Sequence, residues 1–178
     1  MTKSLGIPRR IILIGPPGAG KSTVGGLLAR ELGIDFTDTD HEIEERTGKR
    51  ISEIFVEDGE PHFRKIEEEV VLQSLLDARG VIALGGGAVM SEVVEKRIGS
   101  LKSEGDCEVI FLDVTIAYAA PRVGFNRERP LLLVNPRASW QELMNKRRPI
   151  YSRLATRIVD TNEDAPDQVV AKIISGWR

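Results

Sequence analysis

Short apolar runs rich in β-branched residues recur along the chain, separated by stretches whose apolar positions repeat at helical spacing. Arg10-Ile11-Ile12-Leu13-Ile14-Gly15, Val81-Ile82-Ala83-Leu84, Val109-Ile110-Phe111-Leu112 and Arg157-Ile158-Val159-Asp160 read as strands. A helix is expected over 21–32, where Val24, Leu27, Leu28 and Leu32 recur and Gly33 ends the run, and another over 40–47, closed by Gly48. Further helices are expected from Ser52 to Phe55, Pro61 to about Ala78, Ser91 towards Leu101, Thr115 to about Val123, Ser139 to about Ala155, and Ala165 to Trp177. Strands alternating with helices imply a parallel sheet covered on both faces. Gly124 to Ala138 interrupts the alternation, with two steps into proline and few periodic apolar positions, as a lid or binding loop does.

Composition adds bounds to this picture. The 178 residues suit one domain, and 41% hydrophobic with 29% charged residues is the mix of an ordinary globular protein. A formal net charge of −2 argues against a nucleic-acid partner, which favours a basic surplus. One cysteine, Cys107, allows no internal disulfide and points to a reducing cytoplasm; it lies just before a strand and reads as core or strand edge. The Ile11–Ile14 run is too short for a signal-peptide core or a membrane span, so no membrane partner is expected.

The first chemical signature is Gly15-Pro16-Pro17-Gly18-Ala19-Gly20-Lys21-Ser22-Thr23, which matches G-x-x-x-x-G-K-[ST] between a strand and a helix. In this setting backbone N–H groups of Gly18 to Thr23 and the start of the helix cradle phosphates. Lys21 reaches the β- and γ-phosphates, and the Ser22 hydroxyl binds Mg²⁺. The motif names a nucleotide, not an acceptor. Asn145-Lys146-Arg147-Arg148 begins like the guanine-reading N-K-x-D motif but lacks its aspartate and sits inside an expected helix. The length suits a small-molecule kinase better than a large ATP-driven machine.

Several separated motifs then follow in order: Asp38-Thr39-Asp40; Gly59-Glu60, Phe63-Arg64 and Glu67; Gly85-Gly86-Gly87; Arg129-Pro130-Leu131-Leu132; and Arg147 with Pro149 and Tyr151. With the phosphate loop, this series resembles the shikimate kinase family along nearly the whole chain. The resemblance implies an α/β three-layer sandwich. Its sheet is five-stranded and parallel, in the order 2-3-1-4-5, with a lid at about 123–138 and a substrate-binding region at about 38–67 in one domain.

It also implies ATP and shikimate as substrates, Mg²⁺ as cofactor, a monomer and a cytoplasmic location. Arg64 and Arg147 would hold the shikimate carboxylate, a task suited to planar guanidinium forks, with the Gly86 N–H assisting and Gly85-Gly86-Gly87 allowing close approach. Asp40 would accept a hydrogen bond from the attacking hydroxyl, and Asp38 would act on Mg²⁺ through water. Arg129 would reach the transferring phosphate from the lid, and Arg122 would sit beside the nucleotide phosphates.

Other readings stand beside these. Asp38 and Asp40 suit helix N-capping, Asp40 because it precedes His41-Glu42-Ile43. Glu67, three residues after Arg64, can brace its guanidinium or form a solvent-facing pair. Asp113 ends a strand that looks like a Walker B strand, but Asp38 is the favoured metal acid. Arg127 reads as a solvated loop charge, and His41 and His62 as surface residues. The stretch Asn162-Glu163-Asp164-Ala165-Pro166 lacks the basic residue some relatives place near adenine, leaving backbone and Pro166 for those contacts. A gluconate or nucleoside monophosphate kinase, and an ATP-binding protein with no acceptor chemistry, are the alternatives.

Overall fold

The computed structural model describes residues 6–123 and 135–177. Strands β1 (Arg10–Ile14) and β3 (Gly80–Ala83) are buried along their entire length, and β4 (Cys107–Asp113) is buried over its centre. β1 pairs in parallel with β3 on one side and β4 on the other, Leu13 lying opposite Ala83 and Ile110. Uninterrupted apolar runs are what a strand covered on both faces requires. The edges are β2 (Phe36–Asp38) and β5 (Arg157–Asp160), so the order is β2-β3-β1-β4-β5. The hydrophobic pattern predicts four strands and passes over β2, because that strand is three residues long and none of them is fully buried.

The helices are α1 (Lys21–Leu32), α2 (Thr39–Thr47), α3 (Ile51–Glu57), α4 (Glu60–Asp77), α5 (Glu92–Ser103), α6 (Ile116–Val123), α7 (Pro136–Leu154) and α8 (Pro166–Ser175). Helix α1 packs with α8, while α4, α5 and α7 form a second contiguous group. One large core joins strands and helices, and a smaller one of Ile43, Ile54, Phe63 and Val70 ties α2, α3 and the start of α4 together. That small core is the support for the 38–67 region.

Several boundaries differ from the sequence pattern: α3 spans Ile51–Glu57, α8 ends at Ser175, and three others bear on the site or its strands. Helix α2 starts at Thr39, capped by the Asp38 carboxylate, which accepts from the Asp40 N–H at 3.0 Å and the His41 N–H at 3.4 Å. The cap is therefore Asp38 rather than Asp40. Helix α7 starts at Pro136, three residues early, because proline suits a first turn whose N–H has no helical partner. The expected loop over 124–138 thus ends in helix, and its residues 124–134 lie outside the described residues. Cys107 opens β4 instead of preceding it.

All five strands run the same way, so everything following a strand gathers at one edge: the phosphate loop after β1, Thr39 after β2, Gly85-Gly86-Gly87 after β3, Thr161 after β5. Parallel α/β sheets bind ligands at this edge. Gly80 sets the start of β3 with φ 85°, and a side chain there would strike the Asp35 carbonyl. Gly80→Ala is expected to cost about 3 kcal/mol, read as a lower urea midpoint at unchanged slope; a variant as stable as the parent would show that this strand start is free to shift.

Candidate active site

The phosphate loop leads directly into α1. Lys21 Nζ donates to the Gly15 carbonyl at 2.8 Å and the Pro16 carbonyl at 3.0 Å, folding the side chain over the loop. The Ser22 hydroxyl donates to Asp38 Oδ2, so β2 delivers its last carboxylate to the start of α1. A cleft of about 390 Å³ runs along the loop, with Asp38, Asp40, Arg122, Asp164 and Pro166 among its lining. Arg122 donates to the Thr161 carbonyl at 2.6 Å and the Asn162 carbonyl at 2.9 Å, pinning α6 across the end of β5.

A second cleft, of about 530 Å³, is lined by Arg64, Glu67, Ser139, Lys146 and Arg147. The two clefts meet at the turn after β3, where Gly86 lines the first and Gly87 the second. A β-carbon on Gly85 would lie 2.6 Å from Asp40 Oδ1 and 2.8 Å from Glu67 Oε1. One on Gly86 would lie 3.3 Å from Arg147 Nη1, and one on Gly87 would lie 2.7 Å from Arg64 Cζ. Three bare backbone positions therefore allow two guanidiniums and two carboxylates to close on one turn.

The turn is held from both sides. The Gly85 N–H donates to the Thr39 hydroxyl at 3.1 Å, and the Tyr151 hydroxyl donates to the Gly86 carbonyl at 2.5 Å. Asp38, Thr39 and Asp40 thus divide the work at the end of β2: helix cap and Ser22 partner, anchor of Gly85, and acid facing the turn. Tyr151 is fully buried, and desolvation pushes its phenol up to about 12 against the pull of Arg147. It stays protonated and able to donate.

Arg64 Nη1 donates to Glu67 at 2.7 Å, and Arg64 Nη2 to Glu60 at 3.2 Å. Glu67 is 3% exposed, so the pair is not the solvent-facing one. Burial raises the Glu67 carboxyl above its ordinary range, opposed by Arg64 and Arg147. Burial also pulls Arg64 down, but attraction to Glu67 and Glu60 outweighs it and leaves Arg64 raised and charged. Arg147 is 5% exposed. Both guanidiniums line the second cleft, where their planar forks can meet an anionic ligand.

The remaining expected residues fall elsewhere. Asp113 accepts from Arg148 Nη1 at 2.8 Å and does not line the nucleotide cleft, which fits a strand-end acid. His41 meets Glu45 at 3.3 Å on an exposed helix face, and His62 is exposed. Arg127 and Arg129 lie outside the described residues. Among the described residues no group of three His, Cys, Asp or Glu side chains is arranged to hold a metal unaided. Ser22 and Asp38 offer two oxygens at one point beside the phosphate loop, the donor type Mg²⁺ takes when phosphates and water complete its shell. Sequence reasoning passed over Thr39, Thr161 and Trp140 as site residues, since a single hydroxyl or a buried indole carries no motif.

The family model described as Shikimate kinase matches residues 17–177. The chain is 49% identical over 162 residues to the shikimate kinase of Thermobifida fusca (strain YX), covering 91% of each chain. Its structure is similar to that of the shikimate kinase from Acinetobacter baumannii in complex with shikimate, with a TM-score of 0.88 and 35% identity over 96% of this chain and 93% of that one. A gluconokinase from Sinorhizobium meliloti 1021 shares the fold, with a TM-score of 0.56 and 18% identity over 96% and 92% of the two chains.

The raised Glu67 carboxyl has a measurable sign. Its folded pKa lies above the unfolded one, so the folded chain holds the proton more tightly, and stability from this group falls as pH rises from the ordinary 4.5 through the folded value. The urea midpoint of the parent, relative to Glu67→Gln, is expected to be highest at the acid end and to decline across that window. A difference that grows with pH would mean that attraction to Arg64 outweighs burial.

Proposed function

The chain belongs to the shikimate kinase family, and from that membership we propose how it transfers the γ-phosphoryl group of ATP to the 3-hydroxyl of shikimate, releasing ADP and shikimate 3-phosphate. The observation that carries the assignment of roles is the closure of Asp40, Arg64 and Arg147 on Gly85-Gly86-Gly87, within one turn of the nucleotide cleft. A nucleotide-only protein has no use for one buried and one half-buried guanidinium beside its phosphate loop.

ATP lies along the cleft of the phosphate loop, its phosphates against the loop amides and the first turn of α1. Lys21 exchanges the Gly15 and Pro16 carbonyls for phosphate oxygens, and Arg122 lies close enough to add a second cation. Arg129 serves the transferring phosphate from the lid segment. Ser22 and Asp38 are the residues that would hold Mg²⁺, which when bound would supply positive charge to offset that of the phosphates. Pro166 and the backbone after β5 receive the adenine.

Shikimate lies in the neighbouring cleft, its carboxylate gripped by Arg64 and Arg147 with Gly86 at close approach. Glu67 and Glu60 hold the Arg64 fork in one orientation before substrate arrives, so little ordering remains at binding. This fixes the ring with a hydroxyl facing Asp40. The hydroxyl oxygen bonds to the γ-phosphorus as the bond to the β–γ bridging oxygen breaks, and the hydroxyl proton passes to Asp40. Phosphoryl transfer has a loose transition state, so alignment contributes more than base strength. No helix among the described residues is long and apolar enough to cross a membrane.

Arg147→Ala is expected to raise the KM for shikimate by about 100-fold or more, the loss of a buried charge-assisted contact, and to leave the KM for ATP within about threefold. Steady-state kinetics with each substrate varied, alongside a panel of gluconate and nucleoside monophosphates, checks this; turnover of another acceptor in preference to shikimate would overturn the assignment. Asp40→Asn is expected to lower kcat by about 10²–10³ with KM for both substrates nearly unchanged, measured in the same assay. A KM effect alone would reduce Asp40 to a binding group.

A further inference from the structure

Each carbonyl of the phosphate loop from Gly15 to Gly20 accepts a hydrogen bond. Lys21 takes those of Gly15 and Pro16, the latter shared with the Ala19 N–H at 3.2 Å; Arg122 reaches Gly18 at 3.4 Å, the Thr161 hydroxyl reaches Ala19 at 3.3 Å, and the Val24 N–H takes Gly20 at 2.8 Å. The Pro17 carbonyl is taken by the indole N–H of Trp140, in α7, at 3.1 Å. A peptide unit is planar and trans, so turning its carbonyl one way turns the following N–H the other. Lys21, Arg122 and Thr161 themselves line the cleft, whereas Trp140 does not, so the Pro17 carbonyl is the one held from outside it.

These holds are unequal once a nucleotide binds. Lys21 and Arg122 are the cations that phosphate attracts, and their carbonyl contacts are the ones to be exchanged. The Thr161 hydroxyl has a single proton to share between Ala19 and the Asp113 carbonyl at 3.1 Å. Trp140 is neutral, 3% exposed and packed in the main core. Pro16 and Pro17 have no N–H, so after Gly15 the next backbone donor of the loop is Gly18.

We propose that Trp140 is a positioning residue for the nucleotide: it holds the Pro17 carbonyl outward so that the Gly18 N–H faces a phosphate oxygen. It does so from α7, the helix that also carries Arg147 and Tyr151 against Gly86. The acceptor-binding helix thereby sets one peptide plane of the nucleotide site. This rests on the reading of that cleft as the nucleotide site.

The test is isothermal titration of ADP with Mg²⁺ into the full chain and two variants, with thermal unfolding of each. Trp140→Phe keeps most of the ring volume and removes the donor; the loop then samples other peptide orientations, and apparent affinity falls with the fraction correctly turned. Trp140→His places Nε2–H where the indole N–H stood but leaves a cavity in the core. Trp140→Phe is expected to weaken ADP about tenfold, with loss of the ADP-induced shift of the Gly18 amide resonance. Trp140→His is expected to melt lower than Trp140→Phe yet bind ADP within about threefold of the parent. ADP affinity that follows melting temperature across both variants, or is unchanged in Trp140→Phe, overturns the proposal. Failure of the parent to bind ADP would instead overturn the nucleotide reading on which it rests.

Discussion

Four ionised side chains can approach one turn of backbone only where that turn has no side chains of its own. Gly85-Gly86-Gly87 meets this condition, and the position of Asp40, Glu67, Arg64 and Arg147 depends on it. Charges this close would repel or demand water if they were of one sign. Two of each sign, with Glu60 adding a further contact to Arg64, leave a balanced group that tolerates burial. The desolvation recorded in the raised Glu67 carboxyl is the residual cost of that arrangement.

The turn would be of little use if it could move. It is fixed at Gly85 by Thr39 and at Gly86 by Tyr151, so the end of β2 and the middle of α7 both hold it. Thr39 lies between the residue that caps α2 and contacts Ser22 and the residue facing the turn. A displacement of β3 would therefore be felt at once in the loop, the acid and the arginines. The small core under α2, α3 and α4 gives Arg64 a base separate from the sheet's own core. Helix α7 reaches the other way, with Trp140 on the phosphate loop, Arg148 on β4 and Tyr151 on the glycine turn. Nucleotide and acceptor sites share this one helix as a wall.

How much of this the chain discloses before folding depends on the range of the interaction. Local signals were sufficient for the strand runs of β1, β3 and β4, whose burial on both faces demands continuous apolar residues, and for the phosphate loop, whose glycines and lysine are contiguous. They were insufficient for β2, which is too short and too exposed to show a period, and for the start of α7, where Pro136 opens a helix ahead of the first periodic residue. Family resemblance placed Arg64 and Arg147 with Gly86 on one carboxylate, and Asp40 at the attacking hydroxyl, but gave no role to Thr39 and Tyr151, which hold the turn.

The linear sequence by itself determined the alternation of strand and helix, hence a parallel sheet, and through it the edge at which every loop following a strand collects. It also determined the nucleotide motif, because that chemistry is built from adjacent backbone. Only the tertiary structure decided which side chains neutralise one another and which carbonyls are held: Arg64 with Glu67, Tyr151 with Gly86, Trp140 with Pro17, Asp113 with Arg148. Most of these pairs are far apart in the chain, and a hydrogen bond or ion pair depends on distance and direction in space, which residue order alone does not carry.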